Sequence, residues 1–297
     1  MGELLSFIIV NFNSGIFLEK CINSIYNKNF NFKFEVIIVD NASNDNSMSF
    51  KCPLCDKIFL KENIGFVKGN NLGVNNAKSK YLYFLNPDTV LLDQNIKGLI
   101  EFIESNDNVG IVSPKVLNSD GSLQLTCRKE PTLERLFLYT FGIAKVLRFR
   151  KFVDYKMEME NFDDILFPDW VSGCGFIISK ELFIQAGKFD EDLFMYWEDV
   201  SICREIRKLG YSVVFNPLHC IIHHGGVSSS KTSFFSSFMD IKSRFIYFKK
   251  YYSKLYLTLV KLLTYTNLFF RGIWELLFFR KRNAIMYLNL FFKTIRL

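Results

Sequence analysis

Four short segments of this 297-residue chain carry side chains that could do chemistry together. Asn86-Pro87-Asp88 follows the apolar run Tyr81 to Leu85, so a strand end would present Asp88 as a hard oxygen ligand for Mg2+ or Mn2+. Glu198-Asp199 opens a helical pattern and offers a carboxylate as general base. His223-His224 stands before Gly225-Gly226, and either imidazole could add a second metal ligand. Asp40-Asn41-Ala42-Ser43-Asn44-Asp45 places a carboxylate after Phe34 to Val39, where it could accept from a base N–H or a ribose hydroxyl. Each segment alone has a plainer reading: a solvated Asx turn, an Asn-Pro turn, acids that offset a helix dipole, or a capped strand end. The stretch Phe189 to Asp199, however, interleaves five carboxylates with Phe, Leu, Met, Tyr and Trp, which a purely solvated face would not do.

The elements that must position these groups alternate along the first 120 residues. Leu5 to Val10, Phe34 to Val39, Lys57 to Leu60 and Tyr81 to Leu85 are apolar on both faces, the mark of covered parallel strands. Ile16 to Tyr26 and Val67 to Ala77 supply crossover helices, giving a βαβ wind of the α/β class. Loop residues gather where the strands end, at Asn11 to Gly15, Asp40 to Ser47, Asn63 to Gly65 and Asn86 to Thr89. Ligands of open parallel sheets bind outside the carboxyl ends of the strands, so these loops should line one site, with Asn11, Asn13, Asp40, Asn41, Ser43 and Asn63 among its contacts. Further on, the patterns predict a helix over Asp93 to Ser105, a strand over Val109 to Leu117, and a hairpin turn at Asn118-Ser119-Asp120-Gly121. A helix at Trp197 to Leu209 is stopped by Gly210, a strand covers Ser212 to Phe215, and Ser228 to Ser237 reads as a mobile loop. Thr132 to Asp164 has no regular pattern and reads as a variable excursion on the acceptor side.

Composition divides the chain differently. From Asp240 to Leu297 there are 12 Lys or Arg against two acids, whereas the first 239 residues are slightly acidic, so the net charge of +7 belongs to the tail. Phe contributes 33 residues, and in the tail the cations alternate with bulky apolar groups. That mixture suits an anionic membrane surface better than nucleic acid, which calls for polar, base-reading side chains. The longest uncharged run there, Leu262 to Phe270, is far short of the roughly 20 residues a bilayer crossing needs, which predicts helices lying in the interface. The expected division is a catalytic domain over 1–235 and basic, amphipathic helices over 236–297. Met1 to Val10 leads into a strand pattern with no signal-peptide features, and the seven irregularly spaced cysteines predict reduced thiols; both point to the cytoplasmic side.

In order along the chain, VDNASND (Val39 to Asp45), ENIGFVKGNN (Glu62 to Asn71), FLNPD (Phe84 to Asp88), WVSGC (Trp170 to Cys174), FDEDLFMYWEDVSICR (Phe189 to Arg204) and HHGG (His223 to Gly226) resemble the family 2 glycosyltransferases, specifically their rhamnosyltransferase-like branch. The match runs from about Leu5 to Ser230. The resemblance implies a GT-A fold, a Rossmann-like mixed but mainly parallel sheet flanked by helices, and inverting transfer by single displacement. It further implies nucleotide contacts from Asp40 and its neighbours, a sugar-nucleotide pocket shaped by Gly65, Phe66, Asn70, Asn86, Gly173 and Trp197, a divalent cation on Asp88, and Asp199 as base beside Glu198. His223 matches the family's histidine better than His224. Two departures stand out: the usual Asp-x-Asp is Asn86-Pro87-Asp88, and Ser201 stands where the family often has Asp. The implied donor is dTDP-L-rhamnose, with UDP-sugars behind it, and the implied acceptor is a lipid-linked glycan of a surface polysaccharide.

Two rivals are weighed against this. A nicotinamide enzyme would need the glycine fingerprint that Asn11-Phe12-Asn13-Ser14-Gly15 lacks. A catalytically silent sugar-nucleotide-binding scaffold on the membrane would keep the loops and lose the base.

Overall fold

A computed structural model of the chain describes residues 4–140, 157, 160–225 and 234–297. The parallel wind expected from the apolar runs is present: β1 (Leu5–Asn11), α1 (Ile16–Tyr26), β2 (Phe34–Asp40), β3 (Cys55–Phe59), α2 (Phe66–Asn76) and β4 (Tyr81–Leu85). β5 (Thr89–Leu91), α3 (Ile96–Glu104) and β6 (Val109–Leu117) follow, then β7 (Cys127–Arg128), α4 (Leu133–Thr140), β8 (Trp170–Val171), β9 (Gly175–Ser179) and α5 (Lys180–Gln185). The last elements are α6 (Glu198–Lys208), β10 (Ser212–His223), α7 (Phe234–Tyr251), α8 (Lys254–Leu277) and α9 (Lys281–Thr294).

The chain separates into two compact units. The first holds Met1–Lys129, Lys156–Phe194 and Glu198–Ser228; the second holds Glu130–Tyr155, Met195–Trp197 and Ser229–Leu297. Two pieces from the middle of the sequence are thus grouped with the C-terminal helices. The second unit contains α4 and α7 to α9, and among the described residues no helix is long and apolar enough to cross a membrane.

In the first unit, eight strands run in the order β3-β2-β1-β4-β9-β6-β10-β5. β1, β2, β3 and β4 are parallel, and β1 and β4 are buried along their whole lengths, as their unbroken apolar runs require. Two antiparallel insertions then fix the site. β9 lies against β4 with Leu85 opposite Gly175, so the start of β9 meets the end of β4. β5 pairs antiparallel with β10, His223 opposite Thr89, which brings the end of β10 to the residue after Asp88. Segments more than 80 positions apart thereby converge on one sheet edge.

Several expectations change at the ends of elements. β10 continues beyond Phe215, because a register break between Phe215 and Cys220 absorbs Pro217, which can donate no ladder bond. Cys52 and Cys55, expected reduced, form a disulfide; the turn at Pro53-Leu54 brings their Cα atoms to 5.5 Å, within bonding range. The expected loop Ser228 to Ser237 ends in the first residues of α7, while 226–233, including Gly226, lies outside the described residues. The same holds for 141–156 and 158–159 within the expected excursion Thr132 to Asp164.

Gly65, which caps α2, combines a φ of +92° with a Cβ position 2.6 Å from the Phe194 carbonyl oxygen. An alanine there meets both the left-handed penalty and a backbone clash. Gly65→Ala should therefore destabilise the fold by at least about 1–3 kcal/mol, read as a lowered unfolding midpoint in a thermal melt; an unchanged midpoint would contradict this local geometry.

Candidate active site

The first cluster is built on the in-register pair Asn11 and Asp40, at the ends of β1 and β2. The Asn11 amide donates to Asp40 Oδ1 at 2.7 Å, Ser47 Oγ at 2.8 Å and Ser43 Oγ at 3.0 Å, and its carbonyl oxygen accepts from Ser14. Asp40 Oδ2 accepts from the Ser43 N–H, so both oxygens of this buried carboxylate hold the loop in shape. Asn13 and Asp45 complete the knot, through Asn44 N–H to Asn13 and Gly15 N–H to Asp45. Asn41 accepts from the Ile64 N–H at 2.9 Å, tying in the next loop, where Asn63 accepts from Gly65 N–H. Phe66 is half-buried, and Asn70 turns its amide to the Phe66 carbonyl within α2.

A second cluster surrounds Asp88. Its Oδ1 lies 3.3 Å from His223 Nε2, which is 3.2 Å from the Asn86 amide nitrogen. The tautomer of His223 follows from its far side. Asn118 donates to Ser122 and Leu123, leaving its oxygen for the Gln124 amide at 2.8 Å; Gln124 Oε1 therefore faces His223 Nδ1, 2.7 Å away, and takes its proton. Nε2, on the other side of the ring, is left to face the Asn86 amide and Asp88 Oδ1. Burial pushes the Asp88 carboxyl up, but His223, with the backbone N–H groups of Asp88 and Gly225, outweighs it and leaves Asp88 below its usual range. His224 is oriented elsewhere: Nδ1 is 2.7 Å from Ser119 Oγ and the ring packs on Phe17, while its N–H bonds the Asp88 carbonyl. Of the two histidines, only His223 turns its ring to Asp88.

The third cluster opens α6. Asp199, half-buried, accepts from the Gly173 N–H at 3.0 Å and the Val200 N–H at 2.8 Å. Desolvation pushes its carboxyl up to about 6 even though these N–H groups and Arg128 favour the charge. Glu198 is buried, its Oε2 has no hydrogen-bond partner, and desolvation together with the neighbouring Asp199 charge holds it well above the usual carboxylate range. At neutral pH the pair is divided into a protonated Glu198 and an ionised, more accessible Asp199.

Cys174 links the second and third clusters. Its carbonyl accepts from the Asn86 N–H, and after burial and a Ser172 hydrogen bond, the charges of both Asp88 and Asp199 act on its thiol, which is pushed up to about 12. The other carboxylates of Phe189 to Asp199 stand apart: Glu191 and Asp192 are exposed in a turn, and Glu191 is bonded to Asn71. Trp197 lies in the second unit, its indole buried and donating to Asp240 at 2.9 Å. The residues that orient the site but were not expected from sequence are Asn118, Gln124, Arg128 and Cys174.

A family model described as Glycosyl transferase family 2 matches residues 6–159, more than half of the chain. The chain belongs to glycosyltransferase family 2. Curated relatives include a low-salt glycan biosynthesis hexosyltransferase, Agl10, of Haloferax volcanii, 26% identical over 86% of this chain and 78% of its own length. The rhamnosyltransferase WbbL of Escherichia coli is 27% identical over 62% of this chain and 69% of its own. The N-acetylglucosaminyl-diphospho-decaprenol L-rhamnosyltransferase of Mycobacterium tuberculosis is 23% identical over 78% of this chain and 79% of its own. Among solved structures, GalNAc-T7 with UDP, GalNAc and Mn2+ aligns at TM-score 0.56 and 17% identity over 74% of this chain. Staphylococcus aureus TarS 1-349 in complex with UDP-GlcNAc aligns at 0.54 and 17% over 82%. The chain spans 44% of the GalNAc-T7 chain and 66% of the TarS chain. The likeness establishes a GT-A-like α/β fold for this family 2 glycosyltransferase.

The buried acid pair carries a measurable cost. Below pH 4.5 Glu198 is protonated folded and unfolded alike; above it the unfolded chain releases a proton that the folded chain retains, so stability falls as pH rises through that window. Glu198→Gln should remove this contribution to the slope and gain stability on wild type as pH rises above 4.5, by up to about 1.4 kcal/mol per pH unit. Chemical denaturation across pH measures it, and parallel curves for the two proteins would contradict the buried, protonated state.

Proposed function

We propose that this enzyme is an inverting transferase that moves a sugar, L-rhamnose from dTDP-L-rhamnose first among candidates, onto a hydroxyl of a lipid-linked glycan for a surface polysaccharide. The acceptor would be met at the cytoplasmic face of the membrane, with the protein bound peripherally. The carrying observation is the division of the acid pair, a half-buried ionised Asp199 beside a protonated Glu198, joined through Cys174 to the Asp88 cluster. The rhamnosyltransferases and the decaprenol-linked acceptor among the relatives support the donor and acceptor classes.

In this reading Asn11, Asn13, Asp40, Asn41, Ser43 and Asn63 set the loops around the nucleoside diphosphate, and Gly65, Phe66, Asn70, Asn86 and Gly173 bound the sugar. Asp199 takes the proton of the acceptor hydroxyl as its oxygen attacks the anomeric carbon, the bond from that carbon to the diphosphate oxygen breaks, and the nucleoside diphosphate departs. The unpartnered Oε2 of Glu198 is available to a substrate hydroxyl. Asp88 and the Nε2 of His223, an oxygen and an imidazole donor 3.3 Å apart, suit Mg2+ or Mn2+, cations that take few protein ligands and complete their shell from phosphates. Such a cation, when bound, supplies positive charge to the departing diphosphate. The Mn2+ bound to GalNAc-T7 supports the same assignment.

Asp199→Asn should lower the transfer rate by about 10²–10⁴-fold with the donor still bound. In wild type the rate should fall as pH drops through about 6, where Asp199 gains its proton, and this limb should be absent from the Asn variant. Retention of near wild-type transfer by the Asn variant would exclude the assigned base. Donor choice and the cation are read together by thermal shift: the true donor at 100 times its Kd stabilises by about 2.7 kcal/mol, and this gain should need added Mn2+ or Mg2+ in wild type and vanish in Asp88→Asn. Stabilisation by a UDP-hexose instead would reassign the sugar, and equal stabilisation with excess chelator would remove the cation from the mechanism.

A further inference from the structure

The second unit presents a surface with a specific shape. α8 and α9 form an antiparallel hairpin: Gly272 has no room for a Cβ because Leu288 lies 2.8 Å from where it would be, Phe269 packs on Phe291 at 5.6 Å, and Tyr265 donates to the Thr294 carbonyl. These pairs share one register that folds the chain at Phe278 to Arg280. The interior of the hairpin is satisfied, with Leu268, Gly272, Ala284 and Leu290 buried.

The tip is the reverse. Trp274 is 59% exposed, Leu277 67%, Phe278 55% and Phe279 88%. Phe279 also has a φ of 57°, in the left-handed region where helix ends ordinarily carry glycine or asparagine. A phenylalanine both strained and bare gains nothing inside this chain. Cations ring the same end: Arg271, Arg280, Lys281 and Arg282 are all exposed, and from Lys254 to Leu297 eight basic residues face one acid, Glu275. Glu275 is turned back into the hairpin by the Asn283 amide and Arg280.

We propose that this tip is a membrane wedge, with the Trp274 to Phe279 end entering the headgroup and upper acyl region of an anionic phospholipid bilayer while Arg271, Arg280, Lys281 and Arg282 collar it at the phosphates. The inference rests on the peripheral membrane location proposed above and names the surface that provides it. Charge complementarity decides the occupant: a second copy of the chain would bring the same cations against these, whereas anionic headgroups neutralise them. Size agrees as well. The helical part of the tip, Trp274 to Leu277, rises about 6 Å, and apolar faces of interfacial segments sink about 5–10 Å.

The test is co-sedimentation of the full chain with phosphatidylcholine vesicles, with and without phosphatidylglycerol. Wild type should bind the anionic vesicles more tightly and release with salt. Phe278→Asp with Phe279→Asp should weaken binding to both vesicle types by more than tenfold. Arg280→Gln, Lys281→Gln and Arg282→Gln together should remove the preference for phosphatidylglycerol, at about fivefold per cation. Brominated lipid should quench the fluorescence contributed by Trp274, which Trp274→Phe identifies. All these positions are exposed, so the variants should melt with wild type. Unchanged partitioning of the tip variants would overturn the wedge while leaving peripheral binding intact. Failure of wild type to bind either vesicle would overturn both, and self-association that the tip variants abolish would assign the surface to a dimer. Donor turnover by the same variants reports separately on the transferase reading.

Discussion

Two carboxylates on consecutive residues, one buried and one half-buried, are a constraint that the rest of the first unit has to accommodate. Removing a carboxylate from water disfavours its charge, and an adjacent charge disfavours it again, so one member of such a pair keeps its proton. Which member ionises is decided by donors, not by position in sequence. Asp199 receives two backbone N–H groups and feels Arg128, whereas Oε2 of Glu198 receives nothing. One of those N–H groups belongs to Gly173, and Gly173 is where it is because β9 runs antiparallel beside β4. Which of the two carboxylates ionises thus traces back to strand order.

The same dependence explains what could be read in advance. β1, α1, β2, β4 and β6 were legible because apolar periodicity and loop residues are local signals, and the covered parallel sheet amplifies them. Asp88, Asp199 and His223 could be singled out because their residue types stand at element ends, and the structure places Asp88 beside His223 and Asp199 beside Glu198. What was not legible is the contact network that assigns their protonation. Gln124 meets His223 across 99 positions, held in turn by Asn118, and nothing in the local pattern distinguishes either from an ordinary hairpin polar residue. The disulfide was missed because the pairing depends on a turn whose geometry the composition does not dictate.

The second unit gathers pieces that lie far apart in the sequence. Charge and aromatic content change near Asp240, yet Met195–Trp197 and the segment from Glu130 are gathered into the helical unit because their partners are there. Glu130 accepts from Tyr247 and Tyr252, and Leu133 N–H bonds the Tyr256 hydroxyl. Composition reports solvent and partner preference averaged over a window; it carries no trace of the individual side-chain contacts that gather these pieces.

Tyr196 and Trp197 bring these strands of reasoning together. Both have positive φ, 66° and 68°, in immediate succession, an arrangement costing about 1–3 kcal/mol per residue. It persists because Trp197 is over-determined: its indole donates to Asp240, Arg244 lies 5.6 Å over the ring and is paired to the same Asp240, and Tyr247 and Phe248 pack its edges. Ser243 holds the Met195 carbonyl one turn along α7. The residue that follows Trp197 in the chain is Glu198, so this strained turn is the covalent entry to the acid pair. A tryptophan read from sequence as a pocket wall is, in the second unit, a buried anchor whose partners hold an otherwise costly backbone turn in place.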